Sequence, residues 1–166
     1  MLNFDWNIFV DDLARMGAAA IVGGLLGLER ELSGHFAGLR THMMVSIGCA
    51  VFVIGGLSVG GNQGADVTRV VQGIAAGIGF LGAGTILKID EQQKIKGLTT
   101  ASSIWLAAAL GTLTGLGQYV PAAAATFCAL VVLALLRPIE RHLTHRAKKQ
   151  LAGPDQQLSR RAPGSD

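Results

Sequence analysis

Five apolar stretches occupy most of the first 136 residues of the chain, and short polar or glycine-containing segments separate them. The clearest stretch, residues 70–87, has eighteen residues with five glycines and no formal charge. A run of this length can cross a bilayer as a helix. In water each glycine would cost a helix roughly 1 kcal/mol relative to alanine, whereas in lipid a missing side chain lets neighbouring helices approach closely. The run therefore predicts a membrane helix packed against other helices.

The other four stretches are residues 8–28, 41–65, 98–119 and 120–136. The first is the least regular, because Asp11, Asp12 and Arg15 confine its uncharged part to residues 16–28, which fits a tilted or interfacial start. Pro121 suits the first turn of the last helix. The pattern predicts an all-α fold, a polytopic bundle of about five transmembrane helices with close packing at glycines.

Composition and charge distribution support a membrane location. Half of the 166 residues are apolar and only 15% are charged, which is less charge than a soluble domain usually carries. With five spans and a cytoplasmic C-terminus, 12 of the 14 Lys and Arg residues lie inside, and only Arg15 and Arg69 lie outside. The positive-inside rule therefore predicts an N-out, C-in protein.

The end of the chain differs in character from the apolar part. We expect a transmembrane domain over residues 1–138 and a basic cytoplasmic tail over residues 139–166, largely disordered beyond about residue 152. The net charge of +3 reflects the basic residues of the cytoplasmic segments and of the tail. Anionic lipid headgroups account for the basic tail, and we expect no nucleic acid partner.

Glycines recur at spacings that place small residues on one face of a helix. Such pairs permit close helix crossings, and we expect the first, third and fourth helices to pack backbone to backbone. The glycines assigned to helix packing are Gly23, Gly27, Gly73, Gly77, Gly79, Gly82, Gly84, Gly111 and Gly115.

Polar residues crowd the helix ends, where they form candidate sites. Glu29, Arg30, Glu31 and Arg40 should gather at the cytoplasmic face, either as a polar mouth or as a solvated loop with local ion pairs. On the opposite face Asp66 is either an N-cap or a functional residue, or both, and Arg69 follows it. The hydroxyls Thr99, Thr100, Ser102 and Ser103 serve either as links between helices or as the lining of a small polar cavity with the glycine-rich end of the third helix.

No set of residues predicts an enzyme. Cys49 and Cys128 lie in apolar runs and are interpreted as packed thiols, while His35 and His42 are expected at the membrane interface. A nucleophile, a base and a metal site cannot be assembled from the residues present, so we expect neither enzymatic activity nor a cofactor.

Four segments occur in a specific order. They are GGLLGLERE at residues 23–31, AGLRTHMMVSIG at 37–48, DVTRVVQGIAAGIGFLGAGTIL at 66–87 and KGLTTASSIWLAAALG at 96–111. The ordered set closely resembles the MgtC/SapB family of bacterial inner-membrane proteins, so the resemblance implies the bacterial inner membrane as the location. The chain is similar to the short, SapB-like branch, without the C-terminal ACT-like domain of the virulence-associated members. The resemblance implies about five spans and a role in magnesium-linked ion homeostasis, with Mg²⁺ as ligand or cargo. It places the family's motif residues on Glu29, Arg30, Glu31, Arg40, Thr41, Asp66, Arg69, Gly79, Gly82, Gly84, Thr99, Thr100 and Trp105. These positions coincide with the polar helix ends, and the functional polar cluster is predicted to consist of Glu29, Arg30, Glu31, Arg40, Thr41, Asp66, Arg69, Thr99, Thr100 and Ser103.

Two functions follow as hypotheses. In the first, the bundle is a transporter-like protein, with Asp66 and the hydroxyls of the fourth helix on the ion path and Glu29 and Glu31 at the inner mouth. In the second, it is a non-transporting regulatory module that binds another copy of itself or another membrane protein, such as the F-type ATP synthase or a P-type cation pump. The sequence does not separate the two.

Overall fold

The computed structural model describes the backbone of residues 5–60, 64–89 and 94–151, and the side chains of residues 5–59, 67–86 and 96–135. Within these described residues five helices follow one another, so the predicted helices are confirmed. Their bounds are α1 Trp6–Leu32, α2 Leu39–Gly60, α3 Gly64–Gly84, α4 Leu98–Gly115 and α5 Tyr119–Leu151. A two-stranded hairpin of β1 Leu87–Ile89 and β2 Lys94–Lys96 lies between α3 and α4.

Helices α1, α2 and α4 form the core of the bundle, and α3 packs on α2 and α4. Glycines make the core contacts close. A Cβ atom added to Gly23 of α1 would lie 2.7 Å from the carbonyl oxygen of His42, and one added to Gly115 of α4 would lie 2.9 Å from the Cα of Ala50. Real Cβ atoms do not approach other atoms so closely, so only glycine fits at these crossings.

The glycines of α3 differ from those of α1 and α4. Gly73, Gly77, Gly79 and Gly84 would each receive a Cβ without meeting any atom within 4 Å, and Gly82 would make only ordinary contact with Ala101. The predicted close packing of α3 at these positions therefore differs from the structure. The spacing of glycines specifies a face of a helix, but it does not specify which helix, or which molecule, covers that face.

The third helix is also shorter than its hydrophobic run. It ends at Gly84, where the Thr85 hydroxyl donates to the carbonyl oxygen of Gly82 at 2.7 Å, and the chain then enters β1 at Leu87. The prediction that this run is helical to residue 87 is wrong at its end, because continuous apolarity does not distinguish a helix from the strand that follows it.

Two of the described helices are long and apolar enough to cross a membrane, over Leu39–Val59 and Val67–Gly84. A shorter apolar segment, Tyr119–Leu135, lies in α5. The predicted count of five spans stays a prediction. By its contacts the chain divides into two compact units, Met1–Cys128 and Ala129–Asp166, and the second begins inside α5. The predicted disorder beyond about residue 152 falls outside the described residues.

Candidate functional site

The C-terminal end of α1 carries a buried ion pair. Arg30 is only 3% exposed, and its Nε donates to a carboxylate oxygen of Glu29 at 2.6 Å. The other oxygen of Glu29 accepts from the Ser33 hydroxyl at 2.8 Å. Arg30 also approaches the ring of His35, with 3.5 Å between Nη1 and Nε2. The guanidinium is thus satisfied within the bundle, and removal of either partner would leave a charge buried without its counter-ion.

Glu31 joins α1 to the start of α2. Its carboxylate accepts from the backbone N–H of Leu39 at 2.8 Å, one of the amide groups that a helix start leaves without a partner. A negative charge at this point also favours the positive end of the α2 dipole. Beside it lies a polar cavity of about 440 Å³. Its lining residues are Glu31, His35, Phe36, Gly38, Leu39, Arg40 and Thr41. The structure therefore brings Glu31, Arg40 and Thr41 together, near the Glu29–Arg30 pair.

His42 connects this end of the bundle to α4. The residue is fully buried, and its ring is bonded at both nitrogens: Nδ1 lies 2.9 Å from the carbonyl oxygen of Gly38, and Nε2 lies 3.0 Å from the Ser103 hydroxyl. Arg30 and Glu29 of α1 are the charged groups close enough to act on it electrostatically. His42 was expected at the membrane interface, which differs from this buried position. The sequence feature that could have indicated burial is the spacing of His42 and Ser46, which lie one turn apart on the same buried face of α2.

The hydroxyls at the start of α4 divide into two groups. Thr100 and Ser103 are buried, and Ser103 contacts His42, whereas Thr99 and Ser102 are exposed. The predicted polar cavity between these hydroxyls and the end of α3 is present only in part. A cavity of about 390 Å³ lies there, lined by Gly79, Gly82, Ser102, Trp105 and apolar residues, and the Ser102 hydroxyl is bonded to the carbonyl oxygen of Leu98. Thr100 and Ser103 face the core instead.

Arg69, which was predicted on the opposite face, does not join this cluster. Arg69 is exposed and lies about 22 Å along α3 from Gly84, the end that neighbours the start of α4. The side chain of Asp66 lies outside the described residues. At that face the structure instead assigns a role to Arg15, whose Nη1 donates to the carbonyl oxygen of Gly115 at 2.8 Å. A cation is favourable at the negative end of α4, where carbonyl groups lack helical partners.

Within the part of the chain that the structure describes, no three His, Cys, Asp or Glu residues are grouped so as to hold a metal ion. The arrangement consists of a buried arginine paired with a partly buried glutamate, a carboxylate at a helix start and a buried histidine linked to a serine. These groups link α1 to α2 and α2 to α4.

Comparison with protein families matches residues 16–142 to the MgtC family. The chain belongs to the MgtC family. Among curated proteins, it is 41% identical over 145 residues to Protein MgtC of Brucella abortus and 41% identical over 120 residues to Protein MgtC of Salmonella typhimurium. It is also 38% identical over 137 residues to Protein SrpB of Synechococcus elongatus. No solved structure matches the chain.

The extent of these matches differs. The Brucella alignment covers 87% of this chain and 59% of the Brucella protein, and the Salmonella alignment covers 72% and 50%. The chain thus spans about half to three-fifths of these MgtC proteins, whereas the SrpB alignment covers 76% of this chain and 75% of SrpB. Membership in the MgtC family, together with the apolar helices, makes this a membrane protein.

Proposed function

We propose that this MgtC-family protein is a multi-pass protein of the bacterial inner membrane that acts in magnesium-linked ion homeostasis as a regulatory module. In this proposal it transports no ion and catalyses no reaction, and α3 binds a transmembrane helix of another membrane protein. The magnesium link follows from the family resemblance. The binding role rests on the packing of α3.

The open side of α3 is the observation that carries the proposal. Of its membrane-length segment Val67–Gly84, only 6% is buried within the chain. Gly73 and Gly77 line an apolar cavity of about 450 Å³ between α2 and α3, together with Cys49 and Phe52. We call this cavity the α3 groove. Glycine backbone that faces lipid makes few favourable packing contacts, whereas a partner helix could approach the same backbone closely and pack against it.

The apolar lining of the α3 groove, and the length of the two helices that form it, favour a helix as its occupant. Its walls are apolar residues of two helices that are each long enough to cross the bilayer. In the hydrocarbon region a partner must satisfy its own backbone hydrogen bonds, which a helix does. Phe80 lies on the same face as Gly73 and Gly77 and is 87% exposed, so a partner helix would have a large side chain to pack against.

The core of the bundle supports the regulatory role over transport. The helices pack tightly against one another along the core, where glycines replace larger side chains at the crossings. Gly23 of α1 and Gly111 of α4 bring both backbones against Ser46 of α2. Contacts this close leave little room for a hydrated Mg²⁺ ion, which retains several of its waters.

Functional complementation tests the role of the α3 groove. We expect Gly77→Leu to abolish rescue of growth at low magnesium in a bacterial host that lacks its own homologue, because the side chain would fill the groove. The matched control is Gly17→Leu, since Gly17 also has no atom within 4 Å of an added Cβ but lies on α1. Both variants should accumulate in the membrane as the parent protein does. Equal rescue by the two variants would contradict the proposal.

A flux assay separates regulation from transport. The full chain in proteoliposomes with an entrapped Mg²⁺ indicator should pass no more Mg²⁺ than empty liposomes. Flux above that background, reduced by Asp66→Asn or Glu29→Gln, would overturn the regulatory role and support the transporter-like hypothesis.

A further inference from the structure

The hydrogen bonds around His42 define which nitrogen of its ring carries a proton. The carbonyl oxygen of Gly38, 2.9 Å from Nδ1, can only accept a hydrogen bond. Nδ1 must therefore be protonated. In the neutral ring Nε2 is then an acceptor, and its partner is the Ser103 hydroxyl at 3.0 Å.

Ser103 has one proton and two acceptors within reach. Its hydroxyl lies 2.8 Å from the carbonyl oxygen of Thr100 and 3.0 Å from Nε2 of His42. While His42 is neutral, the hydroxyl can donate its one proton either to Nε2 or to the carbonyl oxygen of Thr100, but it cannot make a full hydrogen bond to both. When Nε2 also carries a proton, Nε2 donates to the Ser103 oxygen, and the hydroxyl donates to Thr100. Every donor and acceptor of the group is then satisfied.

We infer that His42 is a proton-binding site of the bundle, in which rotation of the Ser103 hydroxyl accommodates one bound proton. The step forms one N–H bond at Nε2 and breaks one O–H bond of a hydronium ion, which leaves as water. Only a hydroxyl rotates, so α2 and α4 keep their contact in both states. The inference goes beyond the proposed function and is independent of it.

A polar cavity and one ion pair lie near the buried His42 ring. Gly38, whose carbonyl oxygen accepts from the ring, lines that cavity together with the exposed Glu31 and Arg40. On α1 the nearby charges are Arg30 and Glu29, paired with each other.

Among the described side chains, those of α3 and α4 add little charge around the ring. Helix α4 has no Asp, Glu, Lys or Arg, and Arg69, the charged residue among the described side chains of α3, lies toward the opposite end. Among the described residues, the charges near the ring are therefore those of the Arg30–Glu29 pair, which are opposite in sign.

Nitrogen NMR of histidine tests the inference on the full chain in lipid nanodiscs. The sequence has four histidines, and the signals of His42 are those missing from His42→Gln. At about pH 8 the wild-type ring should carry its proton on Nδ1, the less common neutral tautomer in water, and on acidification to about pH 5 both nitrogens should become protonated. This measurement needs no folded variant beyond the one used for assignment.

Variants of two adjacent serines distinguish a proton site from a structural contact. In Ser103→Ala the protonated ring loses its acceptor, so half-protonation should need a solution more acidic by about one pH unit. Ser102→Ala is the matched control, because the Ser102 hydroxyl bonds only to Leu98 of its own helix, and it should titrate as the wild type does.

Three results would each overturn the inference. They are a proton on Nε2 alone at about pH 8, a ring that stays neutral to about pH 5, and identical titration of Ser103→Ala and Ser102→Ala.

Discussion

Gly111 shows how single residues control the approach of the helices. A Cβ at this position would overlap the carbonyl oxygen of Ser46 on α2 and would lie 2.7 Å from the carbonyl carbon. Backbone atoms cannot move aside as a flexible side chain can. The contact between α2 and α4 therefore depends on the absence of one methyl group.

We expect Gly111→Ala to lower the free energy of unfolding by about 2 kcal/mol, because the added methyl separates two backbones. Gly17→Ala is the control, since its methyl meets no atom within 4 Å and should stabilise α1 by roughly 1 kcal/mol through helix propensity. Unfolding in mixed micelles with increasing SDS measures both. Equal stability of the two variants would contradict the assigned contact.

Candidate site residues that are close in the chain could be predicted from the sequence, whereas those that meet only through contacts between helices could not. Glu29, Arg30 and Glu31 stand at a helix end, and their grouping there follows from chain order alone. His42 and Arg15 make their contacts with residues 61 and 100 positions away. The pattern of one helix does not specify which residue of another helix faces it, so these two roles required the structure.

At the level of elements, the link between α3 and α4 depends on a positive backbone angle. Gly97 has φ of +94° and is the N-cap of α4, and its carbonyl oxygen accepts from the N–H of Ala101 at 2.8 Å. A Cβ at Gly97 would also overlap the carbonyl oxygen of Thr85, just after α3. Two constraints therefore act at one residue.

Gly97→Ala should destabilise the protein more than Gly34→Ala, by about 2 kcal/mol. Gly34 also has positive φ, +75°, but no atom lies within 4 Å of an added Cβ, so it measures the cost of the angle alone. Hydrogen exchange should show faster opening of the β1–β2 amides in Gly97→Ala only. Similar exchange in both variants would mean that the contact with Thr85 contributes nothing.

The helices were predictable, but the hairpin was not. Each helix overlaps one of the predicted apolar runs, and an apolar run is readable without knowledge of tertiary contacts. The strands have only three residues each, too few to establish an alternating pattern. Their formation depends on pairing in register, Leu87 with Lys96 and Ile89 with Lys94, which is a contact between segments.

At the scale of the whole molecule, contacts between helix ends are consistent with helices that alternate in direction. Gly27, near the end of α1, contacts Leu39 at the start of α2. Arg15, in the first half of α1, binds Gly115 at the end of α4. Both contacts fit a bundle in which α1 runs opposite to α2 and to α4, the arrangement that the distribution of basic residues predicts for an N-out, C-in protein.

Accessibility of single cysteines to a membrane-impermeant maleimide in intact cells tests this account most directly. The probes are Phe36→Cys, between α1 and α2, and Gln118→Cys, between α4 and α5, both at exposed positions, with Cys49 and Cys128 replaced by alanine. For an N-out, C-in bundle we expect labelling of the cysteine at position 118 in intact cells, and labelling of the cysteine at position 36 only after the membrane is opened. Labelling of both positions from the same side would contradict a bundle that crosses the membrane with alternating helices.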